Sequence, residues 1–180
     1  MNLKLELVEP NDPVLLEPTM PFDFNKPPID PDQLFAQLAE IMVENKGMGL
    51  AANQVGIPYS VFVVGDPSNP DSVIPVFNPK ILTRTGDLYY AEEGCLTYPG
   101  LYVKIKRYNQ IRTRYTTNAN VTDTIKLSGI TSRIFQHEYD HLEGVRFTQR
   151  ATSYHLGKAR KTLKQLQKLR KKNEAMATRV

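Results

Sequence analysis

The sequence predicts an α+β fold: antiparallel β-sheets around a central HExxH helix, with an N-terminal helix and a basic C-terminal helix. Three observations carry that prediction. Short β-branched or alternating stretches crowd between residues 59 and 127. Helical spacing of apolar residues appears on either side of them and does not alternate strictly with them, as a doubly wound sheet would need. Finally, Gln136-His137-Glu138-Tyr139-Asp140-His141 lies on a segment with two apolar stripes, which suits a helix buried on more than one side.

Residues 1–31 are rich in proline and acid and read as an extended arm. Asp30-Pro31 then looks like an N-cap followed by proline at the first helical position. Leu34, Phe35, Leu38, Ile41 and Met42 repeat at helical spacing, so a helix is expected over 31–46, with Gly47 as its left-handed stop. The stretch 47–54 is small-residue and loop-like. Residues 59–64 form a good strand. Residues 75–82 form a second, cut by Pro79, while 101–106 and 110–115 alternate as half-buried strands do. Residues 125–127 make a short last strand.

Ser128 is placed to cap a helix running to about Glu143, with Gly144 as its stop. Ile130, Ile134, His137 and His141 form one stripe of this helix, expected to be buried. Phe135, Tyr139 and Leu142 form another. A third helix is expected over 153–172, with a narrow seam of Leu156, Ala159, Leu163 and Leu166.

Bulk composition narrows the function classes. A chain of 180 residues with 41% hydrophobic and 23% charged residues fits a single globular core. No stretch is apolar enough to span a bilayer and residues 1–9 carry no signal-peptide pattern, so a cytoplasmic location and no membrane partner are expected. Charge divides the chain. Residues 1–150 hold 14 Lys and Arg against 18 Asp and Glu; residues 151–180 hold 9 against one. This predicts a catalytic body over 1–150 and a basic helical tail over 151–180.

The HExxH motif points to metal chemistry. His137 and His141 are four residues apart, so both imidazoles can reach one ion, and Glu138 can handle the proton of a metal-activated water. A catalytic site needs a third ligand and an open position. His155, on the tail, reads as a solvated residue. Cys95, the one cysteine, lies among polar residues in Glu92-Glu93-Gly94-Cys95-Leu96-Thr97 and is the better candidate, with Gly94 letting the backbone pass near the metal. One thiolate and two imidazoles suit zinc or iron, and coordination chemistry alone favours zinc.

Three stretches together resemble the signature motifs of peptide deformylases: Gly47-Met48-Gly49-Leu50-Ala51-Ala52-Asn53-Gln54, Glu93-Gly94-Cys95-Leu96-Thr97, and Gln136-His137-Glu138-Tyr139-Asp140-His141. Their order and spacing match as well, and the resemblance covers roughly residues 8–150. Thr97 stands where many relatives carry serine, and the turn 116–120 is only loosely similar. The family removes the formyl group from the N-terminal formylmethionine of nascent polypeptides. The resemblance implies that Cys95, His137 and His141 bind the metal, that metal-bound hydroxide attacks the formyl carbon, and that Glu138 is the general acid/base. Gln54 and the backbone N–H of Leu96 would stabilise the oxyanion, Gly49 would offer backbone contacts to the substrate, and Glu93 would pair with Arg107 in a buried second layer. Gln54 has a neutral amide, which suits a donor; its alternative role is to cap its own turn. Ile130, Ile134 and Met48 are candidates for the apolar pocket that takes the methionine side chain.

The same resemblance implies Fe(II) as the native metal, with zinc, nickel or cobalt able to substitute, and activity that fades in air. The basic tail is similar in charge and position to C-terminal helices by which some bacterial deformylases dock on the ribosome, so a ribosomal partner and no DNA are expected. Removal of residues 154–180 is expected to weaken that docking and leave hydrolysis of a short peptide intact. Competing readings are an internal peptide-bond metalloprotease, which lacks a late third ligand here, a nucleic-acid-binding protein with a structural metal, which lacks a fourth, and an inactive homologue, although every motif residue is present.

Overall fold

The computed structural model describes residues 5–177, so the first four residues of the expected arm and the last three of the tail lie outside the described residues. Three α-helices and one five-stranded antiparallel sheet are arranged as α1 (Pro31–Glu44), β1 (Gly49–Ala51), β2 (Val61–Val64), β3 (Ile74–Glu93), β4 (Val103–Thr116), β5 (Thr122–Ser128), α2 (Gly129–Leu142) and α3 (Ser153–Ala177). The strand order is the sequence order, β1-β2-β3-β4-β5. Among the described residues this is one sheet, where several had been expected. No described helix is long and apolar enough to cross a membrane.

Helix α1 starts where the sequence puts it. The Asp30 carboxylate accepts the Gln33 N–H at 2.9 Å, and Pro31 takes the first turn. It ends differently. Lys46, not Gly47, adopts the left-handed conformation (φ 55°). Gly47 is needed for space: a Cβ there would stand 2.7 Å from Leu96 Cδ1.

Alternation in β2 sets the layers. Val61 and Val63 pack with Leu34, Leu38 and Met42 of α1. Phe62 points the other way and meets Phe135 of α2 edge-on, with ring centroids 4.9 Å apart. The sheet is therefore covered by α1 on one face and α2 on the other.

Strands β3 and β4 are longer than expected. Strand β3 does not stop at Pro79, because the register shifts between Phe77 and Lys80 and the proline falls inside that bulge, next to Asn78 at φ 47°. It continues to Glu93, pairing Tyr89 with Arg107 and Glu93 with Val103. Strand β4 runs unbroken through Arg107, where apolar alternation fails in the sequence. Val103, Ile105, Arg107, Ile111, Thr113 and Tyr115 are all buried, so Arg107 occupies an inward position. Strand β1, read as loop, is a three-residue edge strand paired with β2.

Helix α2 lacks the expected Ser128 side-chain cap; Asn109 of β4 instead accepts the Gly129 N–H at 3.2 Å. Gly144 (φ 68°) does end it. Its stripes also need correcting. Phe135 and Leu142 are buried, but Ile130 is 56% exposed and Ile134 half-buried. The Ile130 and Ile134 end of the stripe therefore faces an open cleft, while His137 and His141 are buried as expected. Helix α3 runs beyond 172 to Ala177, and its seam crosses the expected boundary at 150. Ala151, Leu156, Ala159 and Leu163 pack on Leu101, Val103, Ile105 and Phe147. Leu166 does not join them and is 56% exposed. His155 is partly buried against the Tyr90 ring at 4.9 Å, not solvated.

Candidate active site

The end of β3 and the C-terminal half of α2 bring three potential ligand side chains together. Cys95 lies two residues past Glu93, and His137 and His141 stand one turn apart on α2. The ligand atoms of all three lie within 4.8 Å of one another, with Cys95 Sγ 3.3 Å from His141 Nε2. A Cys-His-His set converging on one point is the donor chemistry of a transition-metal site, so these side chains fit the group their sequence motif implies. Burial raises the Cys95 thiol, but the charges of His141 and His137 and their hydrogen bonds outweigh it and hold the thiol well below its usual range. The thiolate is the ligating form. Burial lowers His137, yet hydrogen bonds with Cys95 and Glu93 outweigh it and push the imidazole up to about 10. Ligation requires the neutral ring, so cation binding displaces that proton.

Beneath the ligands lies a network of buried charges. Glu93 Oε2 is 3.0 Å from His137 Nδ1, which turns the other ring nitrogen toward Cys95. The Arg107 guanidinium grips Glu93 with two hydrogen bonds, Nε to Oε1 at 2.7 Å and Nη2 to Oε2 at 2.9 Å, and also donates to Asp140 at 2.8 Å. The expected Glu93–Arg107 pair is thus present, but it is part of a larger set. Arg133 donates to Glu93 at 2.6 Å and to the Tyr89 and Ile105 carbonyls, and Arg150 closes on Asp140 at 2.6 Å. Burial raises the Glu93 carboxyl, but hydrogen bonds from His137 and Arg107 dominate and take it to about 2. Sequence reasoning missed Arg133, Asp140 and Arg150. One signal was available: Arg133, Gln136, His137 and Asp140 form a polar stripe at helical spacing on a helix already expected to be central.

Gln54 caps its own turn with one end of its amide and points the other toward Cys95 and Thr97. Its Oε1 accepts the Ala51 N–H at 2.9 Å, and its Nε2 donates to Thr97 Oγ1 at 3.0 Å and toward Cys95 Sγ at 3.4 Å. The Thr97 hydroxyl therefore does structural work that serine could also do. Glu138 is buried, and its Oε2 has no hydrogen-bond partner. Burial pushes its carboxyl up, against the partial opposition of the His137 and His141 charges. A Cβ on Gly49 would stand 2.5 Å from Glu138 Oε1, so only glycine leaves room for this carboxylate. At Gly94 the Tyr102 ring lies 2.8 Å from where a Cβ would be, so the glycine accommodates that ring.

Gln54, Glu93, Cys95, His137 and Glu138 border one cleft of about 580 Å³. Met48, Gly49, Leu96, Ile130 and Ile134 line it, with Met48 45% exposed at the mouth. Each site residue expected from the sequence falls at this cleft or in the charge network below it, except His141, which reaches it only through the Cys95 and His137 cluster.

A family profile described as Polypeptide deformylase matches residues 4–156. The chain belongs to that family. A peptide deformylase of Aquifex aeolicus is 33% identical over 170 residues, covering 92% of this chain and 95% of its own. A crystal structure of a plant peptide deformylase superposes with a TM-score of 0.83 at 32% identity, covering 96% of this chain and 94% of that one. A Synechococcus elongatus peptide deformylase, solved in complex with actinonin, gives 0.80 at 31% identity over 87% and 85%. Peptide deformylases are metalloenzymes that remove the N-formyl group from nascent peptides, and the converging Cys and His side chains accord with that activity.

Loss of Arg107 tests the network. Arg107→Met is expected to lower the unfolding free energy by about 3 kcal/mol, the lower end for a broken buried pair, because Arg133 and Arg150 still reach the two carboxylates. Urea denaturation measures it; an unchanged midpoint would refute the role. Arg107→Lys should recover only part, since a single ammonium cannot reproduce the two-pronged grip.

Proposed function

We propose that this deformylase works through Cys95, His137 and His141 as metal ligands and Glu138 as general acid and base, acting on the N-terminal formylmethionine of nascent polypeptides and releasing formate. The supporting observation is the Glu138 carboxylate, buried beside the ligand cluster with one oxygen unpartnered. When bound, the metal polarises the formyl group and lowers the pKa of a water to roughly 7. Glu138 takes the proton of the attacking water and delivers it to the leaving amine. Its raised pKa suits a group that must both accept and give a proton near neutrality. Gln54 Nε2 and the Leu96 N–H donate to the developing oxyanion. Gln54 is set in advance, because the Ala51 N–H holds its carbonyl end. Gly49 offers its backbone to the peptide, and Met48, Ile130 and Ile134 receive the methionine side chain.

Formate release from a formyl-Met peptide by Fe(II)-loaded protein under anaerobic conditions tests this reading, with an acetyl-Met peptide as control. Only the formyl substrate should react. Glu138→Ala should abolish turnover, and Gln54→Ala should lower kcat by about two to three orders of magnitude. Turnover by Glu138→Ala at the parental rate would remove it from the chemistry.

Iron is the proposed native metal, on the family resemblance, with zinc, nickel or cobalt as substitutes. The Fe(II) form should lose activity in air as the metal and Cys95 oxidise. An aerobically purified zinc form with full activity would count against iron.

The catalytic body over 1–150 and the basic tail over 151–180 are proposed to divide the work in a cytoplasmic enzyme, the tail binding the ribosome. Lys168, Lys171 and Lys172 are exposed on α3, beyond its packed seam, where they can neutralise phosphates. Because that seam belongs to the body, the cut that tests docking falls after Leu166, not before 154. Loss of residues 167–180 should weaken ribosome co-sedimentation, most at low salt, and spare peptide hydrolysis. Unchanged co-sedimentation would refute the role.

A further inference from the structure

Part of the cleft wall is the turn 98–101, which directly follows the Cys95 segment. Tyr98, Pro99, Gly100 and Leu101 all line the cleft. The turn is held by two backbone hydrogen bonds, Tyr98 N–H to the Cys95 carbonyl at 2.9 Å and Leu101 N–H to the Tyr98 carbonyl at 3.1 Å. Gly100 sits in the left-handed region (φ 77°), which leaves the turn without a side chain of its own at its tip.

The space beside that tip is filled by α3. Leu163 Cδ1 stands 3.3 Å from where a Gly100 Cβ would be. Leu163 belongs with Leu156 and Ala159 to the cluster that holds Leu101, Val103, Ile105 and Phe147, with Tyr98 and Cys95 packed against it. The Phe147 ring then touches the Tyr98 ring at 5.5 Å and the His137 ring at 5.6 Å. One apolar cluster thus joins the tail helix, the cleft wall and two of the three ligand residues. Leu166 and Leu169, further along α3, are 56% and 57% exposed and take no part.

We propose that Leu163 is a positioning residue for peptide binding: it braces the turn 98–101 from behind and keeps that wall of the cleft in the shape that receives the substrate. This rests on the reading of the cleft as the deformylase substrate site. On that reading the turn contacts the peptide portion of the substrate, so loss of the brace weakens the binding of substrate and transition state equally.

Full-length, metal-loaded Leu163→Ala is compared with the parent, Leu163→Met and Leu169→Ala. The expected result is a KM for a formyl-Met peptide raised on the order of threefold to tenfold with kcat unchanged, which is the signature of lost uniform binding. Leu163→Met should restore the parental KM by refilling the space, and Leu169→Ala should match the parent. Hydrogen exchange at the Tyr98 and Leu101 amides should quicken in Leu163→Ala while the β3–β4 ladder keeps its protection. A parental KM, with or without faster exchange, overturns the proposal. So does a fall in kcat accompanied by faster exchange throughout the sheet, which would mark Leu163 as general core packing. If the parent released no formate, the substrate reading itself would fail. Calorimetric affinity for the product peptide Met-Ala-Ser would then decide the brace alone, supported by weaker binding to Leu163→Ala and overturned by equal binding.

Discussion

Everything at this site depends on one constraint: Glu93 is a carboxylate buried inside the protein, and it must be neutralised there. Three groups do so, Arg107, Arg133 and His137. They come from two elements other than the one that carries Glu93. Glu93 ends β3, Arg107 sits on the inward face of β4, and Arg133 and His137 lie on α2. An isolated buried charge costs several kcal/mol, so the three elements are locked to one another at the place where the ligands must converge. Asp140 and Arg150 extend the lock to the other end of α2.

This arrangement links folding to chemistry. The carboxylate that takes part in tying β3 to β4 also orients the His137 ring. The turn that carries Cys95 follows directly from the strand that Glu93 ends. The Gln54 amide is treated in the same way: it is fixed by a backbone N–H at one end and donates to Thr97 at the other. In each case the group at the reaction centre is held by a neighbour before substrate arrives, which lowers the reorganisation that catalysis would otherwise need. Glu138 is the exception. It is enclosed by Gly49 and its surroundings but left with a free oxygen, the state a group needs if its task is to move a proton.

The tail adds a second connection. Its outer face is basic and exposed, whereas its inner face is part of the core behind the cleft wall. Charge composition separates the tail from the body at residue 150; packing does not, because Leu156, Ala159 and Leu163 supply the apolar cover that β4 lacks where β5 no longer pairs with it.

The sequence by itself determined which Cys and His side chains converge, where α1 and α2 start, and the α+β class. Those features depend on local spacing: four residues between imidazoles, an Asp-Pro start, alternation in short strands. Tertiary structure decided what local spacing cannot express. Arg107 broke the apolar alternation of β4, so the strand could not be read as continuous until Glu93 and Asp140 were found beside it. Pro79 looked like a terminator until a bulge accommodated it. Ile130 repeated with buried residues but faces a cleft, because helical periodicity identifies a face and only packing decides whether that face meets protein or open space. Arg133, Asp140 and Arg150 were visible as residues but not as a network, since their pairing spans 10 to 40 positions of chain and arises from the way β3, β4 and α2 come together.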